Sequence, residues 1–251
     1  MRRAGAARLL GLALGVTLAA GGLPTAGAAQ AHAAPLPLSG RVVVLDPGHN
    51  GGNATAAAAI GRQVPDGRGG QKACDTTGTA TDAGYPEHAF TWDVALRTAA
   101  LLRARGARVV LTRADDRGVG PCVDRRAAIG NAAHADLAVS IHADGAPAAG
   151  RGFHVILPAN GPVVRGSHRL ALAIRAELLR RTGTRVADYT AGGDGLQARA
   201  DLAGLNSSTV PKVFVECANM RNAADARLLT SPAWRASVAR ALAAGIENAL
   251  R

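Results

Sequence analysis

Aromatic residues are scarce in this chain of 251 residues, at 3% of the total, and lysine is scarcer still, with Lys72 and Lys212 the only two. Without aromatics to stack on bases, the chain lacks the platform that single-stranded nucleic-acid binders use. Acidic residues are outnumbered, 18 against 29 basic ones, and four of them are glutamates: Glu87, Glu177, Glu216 and Glu247. The net charge of +11, carried almost wholly by arginine, favours anionic partners. It does not choose among nucleic acid, a membrane surface and an acidic polymer. Hydrophobic residues at 48% and charged ones at 19% exclude disorder as a description of the whole chain.

No apolar run is long enough to span a bilayer. The longest, LLGLALGVTLAA at residues 9–20, falls short of the ~20 residues a spanning helix needs. Arg2, Arg3 and Arg8 precede it, and the small-residue sites AQA and AHA follow at residues 29–33. A basic start, a short apolar stretch and such an exit describe a secretory signal peptide, so residues 1–34 read as a leader and residues 35–251 as the exported protein. Removing the leader leaves 26 basic against 18 acidic residues, a net +8. Export turns the reading away from nucleic acid, and loss of the leader leaves no stable membrane insertion. With no coiled coil or long exposed apolar stretch, a monomer is the expected state.

Three cysteines are an odd number, and an oxidising compartment favours one bridge with one thiol left over. Cys74 and Cys122 lie in loop-like, Gly/Asp-rich sequence, whereas Cys217 sits inside the apolar run VFVECA. A Cys74–Cys122 disulfide is therefore expected.

Short β-branched runs at residues 41–46, 107–113, 136–143, 152–158 and 210–217 read as buried strands. Helical stretches separate them: residues 87–105 closing at Gly106, 124–134, and 164–182 closing at Gly183. A last helix is capped by Ser231, has Pro232 in its first turn and runs to about residue 250. The alternation predicts a single α/β domain, with a mixed, largely parallel sheet and helices on both faces. Two segments break it. Residues 51–86 are glycine-rich and poor in large apolar groups, which suggests a long loop or a small hairpin excursion, and residues 187–208 contain GGDG.

In open α/β sheets ligands gather outside the carboxyl ends of the strands. The first strand runs into DPGHNGG with Asp46 and His49, the third ends in SIHAD with His142 and Asp144, and the last reaches Glu216. Glu87 opens the first helix. Two imidazoles and a carboxylate from separate elements are what a catalytic zinc needs, with a fourth position left for water. A second carboxylate beside that water can take its proton and return it to the leaving group. His49, Glu87 and His142 fit as ligands and Glu216 as the base. Taken singly each has an ordinary explanation, such as a loop histidine or a glutamate complementing a helix dipole. Glu216 is less ordinary, since an acid inside an apolar run must be paired or neutralised if buried.

The order VVLDPGHNGG, a helix-opening Glu, LTRADD, RAAIGNAAHADLAVSIHAD, GRGFHV and VPKVFVECANMRN resembles the zinc-dependent N-acetylmuramoyl-L-alanine amidases of the type 3 class. The resemblance runs from about Arg41 to the final helix. It implies Zn2+ held by His49, Glu87 and His142, with Glu216 as catalytic base. It further implies hydrolysis of the amide joining N-acetylmuramic acid to the L-alanine of the stem peptide, in peptidoglycan or its muropeptide fragments, outside the cell or in the wall. Two departures stand out. The base is followed by Cys217-Ala218-Asn219 rather than by the family's Gly-Phe ending, and His88 follows Glu87 where a Lys is common, which makes His88 a candidate extra ligand or, more simply, a surface group. Asp46 and Asn50 are expected to orient the His49 loop. Arg113, Arg126 and Asn131 are read as structural, and His154 as the one further histidine able to face the cleft. The alternatives are a zinc peptidase using the same site, and a silent binding or regulatory module that keeps the fold.

Overall fold

In the first strand, β1 (Val42–Pro47), Val43 and Leu45 enter a large apolar core while Val44 joins a separate small one. Successive side chains of a strand point to opposite faces, so this sheet has two unlike sides. The computed structural model describes residues 34–251 together with residues 11, 13 and 15, and Pro35–Arg251 form one unit. Apart from those three positions and Ala34, the leader expected over residues 1–34 lies outside the described residues.

Six strands form the main sheet in the order β4-β1-β5-β8-β6-β7. They are β1, β4 (Arg108–Leu111), β5 (Leu137–Asp144), β6 (His154–Pro158), β7 (Leu196–Arg199) and β8 (Lys212–Asn219). β1 runs parallel to β4 and β5, and β5 parallel to β8. β6 is antiparallel to β8 and parallel to β7, so the sheet is mixed, as expected. Helices α2 (Glu87–Arg103), α4 (Val164–Thr182) and α7 (Pro232–Leu250) bring Phe90, Ile174 and Val238 onto the large core with Val43, Val139 and Val213. On the other face lie α3 (Val123–Ala132), whose Gly130 approaches Ala138, and α5 (Ala203–Asn206), whose Gly204 approaches Phe214. α6 (Ala223–Thr230) precedes α7 and is capped by the Asn222 side chain.

Local chemistry sets the ends of the long helices. Gly183 ends α4 in the left-handed region at φ 66°, and Ser231 caps α7 by accepting from Trp234 N at 3.3 Å. Residues 51–86 hold a short helix, α1 (Ala57–Gly61), and a two-stranded hairpin of β2 (Gln63–Pro65) and β3 (Gln71–Ala73). The Cys74–Cys122 disulfide ties the hairpin's outgoing end to the start of α3, and Cys217 is a buried free thiol.

The alternation that buries Val139, Ile141, Val213 and Val215 in the large core sends Ser140, His142, Lys212, Phe214 and Glu216 to the opposite face, together with Asp46. That face carries the cleft.

Candidate metal centre

His49 follows the carboxyl end of β1, His142 lies near that of β5, and Glu87 opens α2. One ligand atom from each comes within 4.8 Å of the other two. Glu87 lies between the imidazoles: Oε2 is 3.2 Å from His49 Nε2, and Oε1 is 2.9 Å from His142 Nδ1. Backbone amides hold the carboxylate in place, Thr79 N donating to Oε2 at 3.0 Å and Ala143 N to Oε1 at 3.2 Å.

Close backbone approach makes the pocket. A Cβ at Gly48 would lie 2.1 Å from His142 Cε1, and one at Gly78 would lie 2.8 Å from Glu87 Oε2. Both positions therefore require glycine. His49 has φ 58°, a conformation rare for a residue with a side chain, and strain of this kind persists only where surrounding contacts impose it. The contacts are present. His49 Nδ1 faces Asp75 Oδ1 at 3.1 Å and Thr76 O at 3.2 Å, while Arg126 donates to His49 O at 3.0 Å.

Burial alone would lower the His49 pKa, but Glu87 and Asp75 overcome it and push it up to about 10. Burial likewise opposes ionisation of Glu87, and the two imidazoles hold its carboxyl well below the usual carboxylate range. Two imidazole nitrogens and one carboxylate oxygen, converging from separate elements on a half-open cleft, match the donor set of a catalytic zinc. The residues fit the metal.

Glu216 is the cross-strand partner of His142 in the β5–β8 register. Its Oε2 is shut from solvent and has no hydrogen-bond partner. Burial, then the neighbouring Glu87 and Asp144 carboxylates, push its pKa well above the usual carboxylate range. His49, His142 and Glu216 line one cleft of about 260 Å³, with Phe214, Ile156 and Leu202 as apolar wall and Lys72 and Arg199 at its side.

All four sequence-predicted residues thus meet at one end of the sheet. Others fall elsewhere. His88 is half-buried, its Nδ1 facing the Asp116 carboxylate at 2.9 Å, and it is not one of the three clustered ligand residues. Asp46 and Asn50 do not touch the His49 ring. Asn50 reaches it through Asp75, to which it donates at 3.0 Å, whereas Asp46 is linked to the His49 backbone through Arg126, which donates to both Asp46 Oδ1 and His49 O. Arg113 donates to Pro47 O, and Asn131 ties α3 to Ser207. His154 is buried against Tyr189 and pairs with Glu216 in the β6–β8 register. Asp75 was not singled out from the sequence. Its one local signal is that it adjoins Cys74, which the disulfide fixes near the cleft.

Comparison with known proteins gives concordant matches. The family model described as N-acetylmuramoyl-L-alanine amidase matches residues 43–248. The N-acetylmuramoyl-L-alanine amidase Rv3717 of Mycobacterium tuberculosis is 47% identical over 223 residues, 88% of this chain and 91% of the relative. Two solved structures of the N-acetylmuramyl-L-alanine amidase Ami1 are also similar. That from Mycobacterium smegmatis has 48% identity and a TM-score of 0.80, covering 85% of this chain and 98% of its own. That from Mycobacterium abscessus has 49% identity and the same TM-score, covering 85% and 100%.

Proposed function

The chain belongs to the N-acetylmuramoyl-L-alanine amidase family, and from that premise we propose a division of labour among its residues. His49, Glu87 and His142 hold Zn2+, and Glu216 is the catalytic base. The observation that carries this reading is the convergence of three ligand atoms from β1, α2 and β5 within 4.8 Å, beside a carboxylate without a partner.

Zinc, when bound, supplies Lewis acidity that polarises the scissile carbonyl and eases deprotonation of water. The substrate bond joins the lactyl carboxyl of N-acetylmuramic acid to the amine of L-alanine. Glu216 accepts a proton from the attacking water as its oxygen bonds to the carbonyl carbon, then delivers that proton to the departing nitrogen. The carbon–nitrogen bond breaks, leaving a carboxylate on the sugar and a free amine on the peptide. A carboxyl with raised proton affinity suits this double duty, because it takes a proton readily and can still pass it on to the departing amine, which is the stronger base. Phe214 stacks on His142, with ring centroids 5.0 Å apart and an interplanar angle of 11°, and keeps that imidazole from swinging into the cleft. Arg199 and Lys72 offer positive charge to the carboxylates of a stem peptide.

The chain acts as a monomer outside the cytoplasm, on peptidoglycan or its muropeptide fragments, after loss of residues 1–34. Its arginine-rich composition and net charge of +8 without the leader suit anionic surroundings, and export turns that reading toward wall polymers and away from nucleic acid. Among the described residues, no helix is long and apolar enough to cross a membrane.

The test is zinc content and muropeptide hydrolysis, comparing the chain with Glu216→Gln. One zinc per chain in both proteins, with stem peptide released only by the unaltered one, is the expected result. Full activity in the variant would remove Glu216 from the mechanism, and an absence of zinc would remove the metal site.

A further inference from the structure

The two histidines of the metal centre are held by different devices. His49 Nδ1 is surrounded by acceptors: Asp75 Oδ1, Thr76 O and, at 3.4 Å, Thr76 Oγ1. An imidazole nitrogen facing a carboxylate and a carbonyl keeps its hydrogen when the other nitrogen gives its own up to a metal, so Nε2, the atom that faces Glu87, is the one left for the metal. His142 is turned the other way. Its Nδ1 faces Glu87, and its Nε2 meets the Ser140 hydroxyl at 3.2 Å.

A hydroxyl can donate or accept, so by itself Ser140 sets no tautomer. Its own hydrogen is already committed. Ser140 Oγ donates to Asp46 Oδ2 at 2.9 Å, and both residues are buried, at 0% and 1% exposure. Asp46 can only accept while it is ionised, and three further donors converge on it: Thr112 Oγ1 at 2.7 Å, Arg126 Nη1 at 2.8 Å and Lys212 Nζ at 3.1 Å. Burial opposes that ionisation, but Lys212 and Arg126 outweigh it and hold the carboxyl well below the usual range. Ser140 Oγ is thus left with lone pairs toward the imidazole.

We propose that Ser140 and Asp46 are positioning residues that fix His142 as the Nε2–H tautomer, so that His142 offers Nδ1 to the metal while His49 offers Nε2. The inference rests on the zinc reading above and assigns work to residues which that reading leaves idle. A carboxylate stands behind each histidine, directly for His49 and through a hydroxyl for His142. Arg126 connects the two supports, with Nη1 on Asp46 and Nη2 on Asp75 at 3.3 Å. Lys212, one of two lysines in the chain, has its charge wholly inside this network, where it also lies 5.6 Å from the centroid of the Phe214 ring that stacks on His142.

The experiment is long-range 1H–15N correlation on the zinc-loaded chain with 15N-labelled histidine, paired with zinc affinity measured by competition with a chromophoric chelator. The expected spectrum shows His142 protonated at Nε2 and metal-bound at Nδ1, and His49 the reverse. Ser140→Ala is expected to weaken zinc binding by about 10- to 100-fold with an unchanged circular dichroism spectrum, and Ser140→Thr, which keeps the hydroxyl, to recover most of the loss. If the chain binds one zinc but His142 coordinates through Nε2, the relay is wrong and the metal site stands. Undiminished affinity in Ser140→Ala with the Nε2–H signal unchanged also overturns the relay. A chain that takes up no zinc at all overturns both.

Discussion

The cleft has two walls of unlike construction. One is the sheet: β5 and β8 lie side by side in parallel register, with Val139, Ile141, Val213 and Val215 sunk in the large core and Ser140, His142, Phe214 and Glu216 facing the site. The other is the hairpin of β2 and β3, which brings Lys72, Ala73, Asp75 and Thr76 to the cleft. It owns only a small apolar cluster of Val64, Cys74 and Cys122, with Val123 packed against it. What holds it across the cleft is polar: Arg68 donates to Ala200 O, Lys72 to Asp201 O, and Asn206 to Asp66 O. Position is therefore enforced by apolar burial on one side, and on the other by one covalent tie and hydrogen bonds, some exposed and some, like those from Asn50 and Arg126 to Asp75, buried. The proposed ligand His142 and the proposed base Glu216 stand on the first wall, with His49 just past the end of the neighbouring β1 and Glu87 on α2. From the second comes Asp75, which tunes one of them.

The sharpest break in that comparison comes from altering one residue on each wall. On the sheet side, Glu216→Gln is expected to lower kcat by about 10²- to 10⁴-fold, the usual contribution of a positioned proton-transfer group, with zinc stoichiometry unchanged by atomic absorption. On the hairpin side, Asp75→Ala leaves the proton-transfer group in place. It removes the carboxylate behind His49 and should weaken zinc by about 10- to 100-fold, with kcat largely restored once the metal is saturating. An equal loss of kcat in both proteins at saturating zinc would show that the two walls are not separable in this way.

Removing the tie tests the hairpin wall as a whole. The Cys74–Cys122 bridge closes a loop with a sequence separation of 48, which chain entropy values at about 4 kcal/mol. Replacing both cysteines by serine should lower Tm by about 10 °C in a scanning calorimeter, given roughly 2–4 °C per kcal/mol for a domain of this size. Zinc affinity should fall with it, because Asp75 adjoins Cys74. A double variant that melts earlier yet binds zinc as tightly as the unaltered chain would mean that the hydrogen bonds to Ala200 and Asp201 suffice to place Asp75.

The two walls also differ in how far the sequence discloses them. The sheet wall is readable because its signals are local. DPGH and SIHAD mark strand ends, Glu216 is conspicuous within an apolar run, and the glycine and Ser-Pro punctuation sets the ends of α4 and α7. The apolar runs were read as buried strands, and β1, β5 and β6 are buried along nearly their whole length; what the runs do not disclose is that alternate residues enter unlike surroundings, the large core on one face and a small core beside the cleft on the other. Asp46 shows a subtler limit. It was expected to orient the His49 loop, and it does so only through Arg126, which donates to both Asp46 Oδ1 and His49 O, while its bonds to Ser140 and Lys212 join residues that become neighbours only once β5 and β8 pair beside β1. Asp75 was missed for the same reason: it lies 26 residues from His49 along the chain, and nothing in its local pattern announces the contact. Also unread were β7 and α6, elements of only four and eight residues, too short to stand out from the loops around them.

The smallest expected effect is on the pH dependence of metal uptake, and it separates the contributions of the two walls to one histidine. Glu87 from α2 and Asp75 from the hairpin together raise the metal-free His49 to about pKa 10, against its burial. Below that pH the imidazole carries a proton that the metal must displace, so uptake releases a proton and tightens as pH rises. Between pH 6 and 8 the His49 contribution alone amounts to about tenfold in affinity per pH unit, readable by chelator competition or from the buffer dependence of the calorimetric heat. Asp75→Asn keeps the shape of the hairpin residue but removes its charge, which lowers the His49 pKa toward its ordinary value and leaves Glu87 as the remaining carboxylate against it. Proton release from His49 at pH 8 should then be smaller than in the unaltered chain, while at pH 6 the two should converge. A release that is the same in both proteins at pH 8 would assign the whole of the His49 shift to Glu87 and leave the hairpin wall with an orienting role alone.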